Sequence, residues 1–99
     1  MDLTINEWYQ SLVSDCKAIV TESIFASRWI LVEGYWMLGK RFREEKDFDT
    51  KLLQGLAVDI GIGERTLWYA LQAYDKYPNI QKIPEGKNIT WNKLITKYL

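Results

Sequence analysis

No proline interrupts the chain between residues 5 and 45, and across that stretch apolar residues return every three or four positions. Side chains at such spacing share one face of an α-helix. One stripe holds Tyr9, Leu12, Cys16, Ile19, Ala26 and Ile30; a second holds Val13, Val20, Ile24, Leu31, Tyr35, Leu38 and Phe42. Thr4 and Glu7 form a capping box at the start. The segment reads as one long helix, or as two helices broken near residues 21–23. A single helix of that length exceeds what a 99-residue globule can cover by itself. Residues 1–46 are therefore expected to be a dimerisation segment whose wide apolar face pairs with a second copy, giving a homodimer.

The rest of the chain is also helical in pattern. "REEKDFD" is a polar connector, after which Asp49 or Thr50 caps a helix running to Ile60. Gly61 and Gly63 bracket a turn, glycine being suited to the left-handed conformation that ends a helix. A further helix starts at Glu64 and is stopped by Pro78. "NIQKIPEGKN" is an irregular link, and Asn88 or Thr90 caps a last helix with Trp91, Leu94 and Ile95 on its buried side. No strand is expected. The chain is all-α and forms one domain, with residues 49–78 and 88–99 as its second and third parts.

Leu56 to Tyr74, "LAVDIGIGERTLWYALQAY", has the spacing of a helix-turn-helix. That motif needs a small residue in its first helix, a glycine about four residues later and an apolar residue where the second helix packs back. Ala57, Gly61 and Leu67 meet these needs in order, and Leu53, Leu56, Ile60, Ile62, Ala70, Leu71 and Tyr74 complete the inner face. In a DNA-reading version the second helix enters the major groove. Its outward positions here are Glu64, Arg65, Trp68, Tyr69, Gln72, Asp75 and Lys76. Arg65 suits guanine and Gln72 suits adenine, with Thr66 and Tyr69 beside them. Lys76, Lys82, Lys87, Lys93 and Lys97 form a strip able to follow phosphates, opposed only by Glu85. The other reading of the same face is a protein-binding surface anchored by Trp68 and Tyr69, as in a phage-encoded inhibitor or an assembly domain.

Charge bears on both readings. The chain has 13 basic and 13 acidic side chains, a balance that argues against a dedicated nucleic-acid binder. The balance is uneven, however: residues 1–63 carry seven basic and ten acidic groups, and residues 64–99 carry six and three. Histidine is absent, which removes the usual Cys/His zinc sites and histidine-assisted nucleophiles. A single cysteine, Cys16, permits no internal disulfide, and a cytoplasmic location is the default. No apolar run is long enough for a membrane span. No cofactor is expected, and the chain is expected not to be an enzyme.

Three lookalikes fail on chemistry. "GYWMLGKR" spaces Gly34, Gly39 and Lys40 like a phosphate-binding loop, yet Arg41 stands where Ser or Thr must hold magnesium, and the run belongs to a helical stripe. Gly34 and Gly39 are expected instead to let a partner helix approach closely. Asp75 with Glu85-Gly86-Lys87 imitates a metal-dependent nuclease set without the sheet that would converge it. "EEKDFD" lacks the glycine and final glutamate of a calcium loop.

Two segments taken together, "SRWILVEGYWMLGKRF" and "LAVDIGIGERTLWYALQAYDKYP", resemble the helical N-terminal domain of YhcG-type nucleases. They are also similar to segments ahead of some phage and mobile-element adenine methyltransferases. The likeness covers about residues 20–98 and extends to the closing "GKNITWNKLITKYL". It implies an all-helical accessory module that helps a DNA-acting enzyme find DNA or assemble, either as an excised domain or as a small stand-alone relative. The catalytic portion of such proteins would follow this chain's end, so no catalytic residue carries over. The expectation is a non-catalytic accessory or regulatory domain that binds double-stranded DNA, with protein interaction as the alternative.

Overall fold

A computed structural model describes the backbone of residues 3–24 and 28–99 and the side chains of residues 7–20 and 28–99. Among the described residues there are helices and turns and no strand, so the chain is all-α. The N-terminal segment is two helices, α1 (Leu3–Ile24) and α2 (Arg28–Arg43). Ile19 and Val20, late in α1, share a cavity wall with Leu31, early in α2, whereas Asp15 pairs with Arg41 near the end of α2. The two therefore run antiparallel as a hairpin, which removes the single-long-helix alternative. Residues 25–27 lie outside the described residues, as do the side chains at 21–23 where the break was expected. Helix α1 already includes Leu3, so Thr4 sits inside the helix instead of capping it, and its side chain too lies outside the described residues.

The hairpin changes the argument for pairing. Leu12, Val13 and Cys16 from α1 and Leu38 and Phe42 from α2 are buried in the chain's own core, together with Leu53, Leu56, Leu67 and Leu71. The apolar stripes that called for a second copy are thus largely covered from within. Cys16 is fully buried there, and burial pushes its thiol up to about 12, against a smaller opposing pull from Arg41.

Helix α3 (Thr50–Ile60) starts at Asp49, whose carboxylate accepts from the Leu52 amide at 2.8 Å. A cap of this kind contributes about 1 kcal/mol. The helix ends on Gly61 at φ +74°, and the amides of Gly61 and Ile62 both donate to the Ala57 carbonyl. Gly63 does not share this requirement. Its φ is −58°, open to any residue, and a Cβ there meets nothing within 4 Å. The sequence expectation of two conformationally required glycines is therefore corrected to one. Gly61→Ala is expected to cost about 1–2 kcal/mol in a urea titration, whereas Gly63→Ala is expected to be neutral or to stabilise by about 0.5 kcal/mol, through a less flexible unfolded chain.

Helix α4 (Glu64–Lys76) stops as expected before Pro78, with Tyr77 out of the helical region at φ −125°, ψ 71°. Helices α2 and α4 form the most extensive pair in the fold. Gly39 makes that approach possible: a Cβ built there would lie 2.1 Å from the Ala70 carbonyl oxygen and 3.1 Å from Tyr74 Cβ. Trp36 Nε1 donates to the Tyr77 carbonyl at 2.7 Å, tying the end of α4 to α2. A second core sits on this seam, where Val32, Trp36 and Ala73 meet Ile83, Ile89 and Leu94 from the C-terminal segment.

That segment wraps the seam through two 3-10 turns, Ile80–Lys82 and Gly86–Asn88, and a short helix, α5 (Trp91–Lys93). Of the two expected caps it is Thr90 that acts, its hydroxyl accepting from the Lys93 amide at 3.1 Å. Helix α5 runs on into a wider π turn, Leu94–Tyr98. None of the helices, among the described residues, is long and apolar enough to cross a membrane.

Candidate nucleic-acid interface

Helix α4 is amphipathic by construction. Leu67, Ala70, Leu71 and Ala73 are buried, and the opposite side leaves Glu64, Arg65, Trp68, Gln72, Asp75 and Lys76 exposed, with Thr66 and Tyr69 half-buried at its edges. Arg65, Trp68 and Gln72 recur at three- and four-residue steps, so they stand in one row along the surface. The Arg65 guanidinium lies over the Tyr69 ring, 5.8 Å from its centroid, and this holds the arginine along the helix. Gly63 has no side chain to cap the first-turn amides of α4, and Glu64 is the acid that the positive helix end favours there.

Asp75 is not the free acid that the sequence suggests. Arg43, at the end of α2, grips it with two parallel bonds, Nε to Oδ1 at 2.9 Å and Nη2 to Oδ2 at 2.5 Å. The carboxylate is the main reason the Arg43 guanidinium is held above its ordinary value. The pair cancels the charge of Asp75 on the α4 face and places an arginine beside it. Sequence reasoning missed Arg43. Its signal was weak, since the two residues lie 32 positions apart and only the α2–α4 packing joins them.

The lysine strip divides into two groups. Lys93 lies 2.9 Å from a Glu85 carboxylate oxygen, so its charge is offset. Lys76 donates to the Tyr98 carbonyl at 2.6 Å and Lys97 lies over the Tyr98 ring at 5.5 Å, which gathers both at the foot of α4. Lys82 and Lys87 are exposed on the two 3-10 turns and form no ion pair among the described residues. Four lysines thus form no ion pair among the described residues, although Lys97 also adds to the field at Glu85, and the fifth, Lys93, is paired.

Glu85 earns its partners by its backbone. Among the described residues it is the one non-glycine residue at positive φ, +65°, a conformation that side chains rarely adopt. Its carboxylate accepts from Tyr98 Oη at 2.8 Å as well as from Lys93, and the Lys93 bond, then the Tyr98 bond, holds the carboxyl below its ordinary value of 4.5. A carboxyl with a depressed folded value stabilises the fold above its unfolded value and loses that effect as pH falls through the folded value. The Tyr98 and Leu99 amide resonances are therefore expected to move below about pH 4.5, before those of α3 and α4. Simultaneous movement of all of them would sink the local account.

Gly34 to Arg41, the phosphate-loop lookalike, is continuous helix within α2, with Gly34 and Gly39 both buried. Asp75 and Glu85, from the nuclease lookalike, are each tied to a separate cation. Among the described residues no group of three or more metal-ligating side chains gathers. The chain matches no protein-family model, no curated protein and no solved structure.

Proposed function

We propose that this chain is a non-catalytic, helix-turn-helix DNA-binding accessory or regulatory domain, with α3 and α4 as the motif and α4 as its reading helix. The exposed row on α4 carries the reading: Arg65 and Gln72 offer donors along one side with half-buried Tyr69 at the edge, and of the two acids on that face, Glu64 and Asp75, the second is paired with Arg43. In this reading Arg65, Thr66, Tyr69 and Gln72 face base edges, and Lys76, Lys82, Lys87 and Lys97 meet phosphates. Lys93 drops to a structural role at Glu85. The resemblance to the accessory domain of YhcG-type nucleases and to segments of phage or mobile-element methyltransferases belongs to this proposal, as does a cytoplasmic location.

A second reading rests on a different observation. Trp68 is 37% exposed and Val58, on α3, is 81% exposed, and a protein partner would cover such side chains. Pairing of two copies through the α1–α2 hairpin belongs to the same proposal, and Trp8 on α1 and Met37 on α2 are large apolar side chains left exposed there. Sedimentation at high concentration tests that pairing, and a monomer there removes it.

Anisotropy of a labelled mixed-sequence duplex separates the two readings. DNA binding that loses its sequence preference in Arg65→Ala and weakens further in the Arg65→Ala, Gln72→Ala double variant supports the first. Binding unchanged by the double variant refutes the assignment of α4 as reading helix. No binding at low salt leaves the protein-docking face as the function of the same residues.

A further inference from the structure

We propose that the cavity between α1, α2 and the α3–α4 turn is a binding site for a small monocyclic aromatic molecule bearing one hydrogen-bonding group. The cavity is partly open to solvent and holds about 200 Å³. Its described wall consists of Ile19, Val20, Leu31, Gly34, Leu38 and Ile62, all apolar, and Tyr35, the one wall residue with a polar side-chain atom. An apolar void of about 150 Å³ stays dry and admits benzene. This one therefore has room for a ring and a small substituent.

The chemistry of the wall selects the occupant. Six apolar residues exclude a charged or richly polar ligand, because its lost hydration would have no replacement. Tyr35 adds one polar requirement. Its ring lies against Trp91, with centroids 4.6 Å apart, and its hydroxyl makes no hydrogen bond among the described residues. Burial holds its pKa above the ordinary value of 10.0, in keeping with a ring partly withdrawn from water. A single acceptor on an otherwise apolar ring satisfies that hydroxyl and fills the void at once.

The inference does not depend on DNA binding, and its test contains no DNA. Benzene and phenol are titrated into the full chain while methyl resonances are followed by NMR. Saturable shifts are expected at Ile19, Val20, Leu31, Leu38 and Ile62 with both probes. Tyr35→Phe, which keeps the ring and removes the hydroxyl, is expected to weaken phenol about fivefold and to leave benzene unchanged. Absence of shifts at these methyls with either probe up to its solubility overturns the site. Phenol affinity that is the same in Tyr35→Phe overturns the assigned hydrogen-bonding role and with it the ligand class.

Discussion

Gly39→Ala is expected to destabilise the fold by about 2–3 kcal/mol, the upper part of the range for overpacking a well-filled interior. On an isolated helix the same change would gain up to about 1 kcal/mol, since glycine loses the most backbone freedom on folding. The sign reverses because the added Cβ would sit 2.1 Å from the Ala70 carbonyl oxygen and 2.8 Å from the Ala70 carbonyl carbon. Both are backbone atoms in the middle of α4, so no rotamer change relieves the clash. The helices must separate, and both cores are built on that pair. Loss on this scale corresponds to a fall in Tm of about 10–20 °C for a domain of this size. Gly55→Ala is the internal control. It lies in α3, its Cβ would meet only the Tyr9 hydroxyl at an ordinary 3.4 Å, and it is expected to be neutral or mildly stabilising. Equal melting of the two variants would show that α2 and α4 do not approach through Gly39.

The features legible in the sequence were those that act within a few residues. A cap at Asp49 or Thr50, Gly61 as a left-handed helix end, Pro78 as a stop and a second cap at Asn88 or Thr90 each follow from hydrogen bonds or dihedral limits inside one turn, and the structure selects Asp49 and Thr90. The amphipathic face of α4 was legible for the same reason, because burial of Leu67, Ala70 and Leu71 imposes a 3.6-residue period. The hairpin of α1 and α2 was not. Apolar stripes have the same spacing in one long helix and in two that fold back, and "FAS" at residues 25–27 contains no glycine or proline to mark a turn. Gly63 was misjudged because composition shows where glycine stands and not which dihedral it takes. The close approach at Gly39 was legible as a helix seam, though not that Ala70 of the same chain lies across it. The remaining omissions are long-range: Arg43 with Asp75 and Lys93 with Glu85 depend on how helices pack, which local pattern does not specify.

Raising salt from 50 to 200 mM is expected to weaken duplex binding about 10²-fold, if the four lysines without carboxylate partners each neutralise one phosphate. Lys76, Lys82, Lys87 and Lys97 are those four, since Lys93 is held by Glu85. Each phosphate contact contributes a slope of about −0.9 in log affinity against log salt, so the total should be near −3.6. The Lys82→Ala, Lys87→Ala double variant should reduce the slope by about 1.8 and the affinity by a similar factor on every sequence. Both side chains are exposed on 3-10 turns, so these changes leave the cores intact. Lys93→Ala should instead leave the slope unaltered and loosen the Glu85 corner, because its charge is already offset. Arg43→Ala is the more demanding variant. It removes a cation and also frees Asp75 to face the polyanion, so affinity should fall more than for any single lysine. A slope that Lys93→Ala lowers and Lys82→Ala, Lys87→Ala does not would place the phosphates on a different surface. The α4 row would then lose its claim as the reading face.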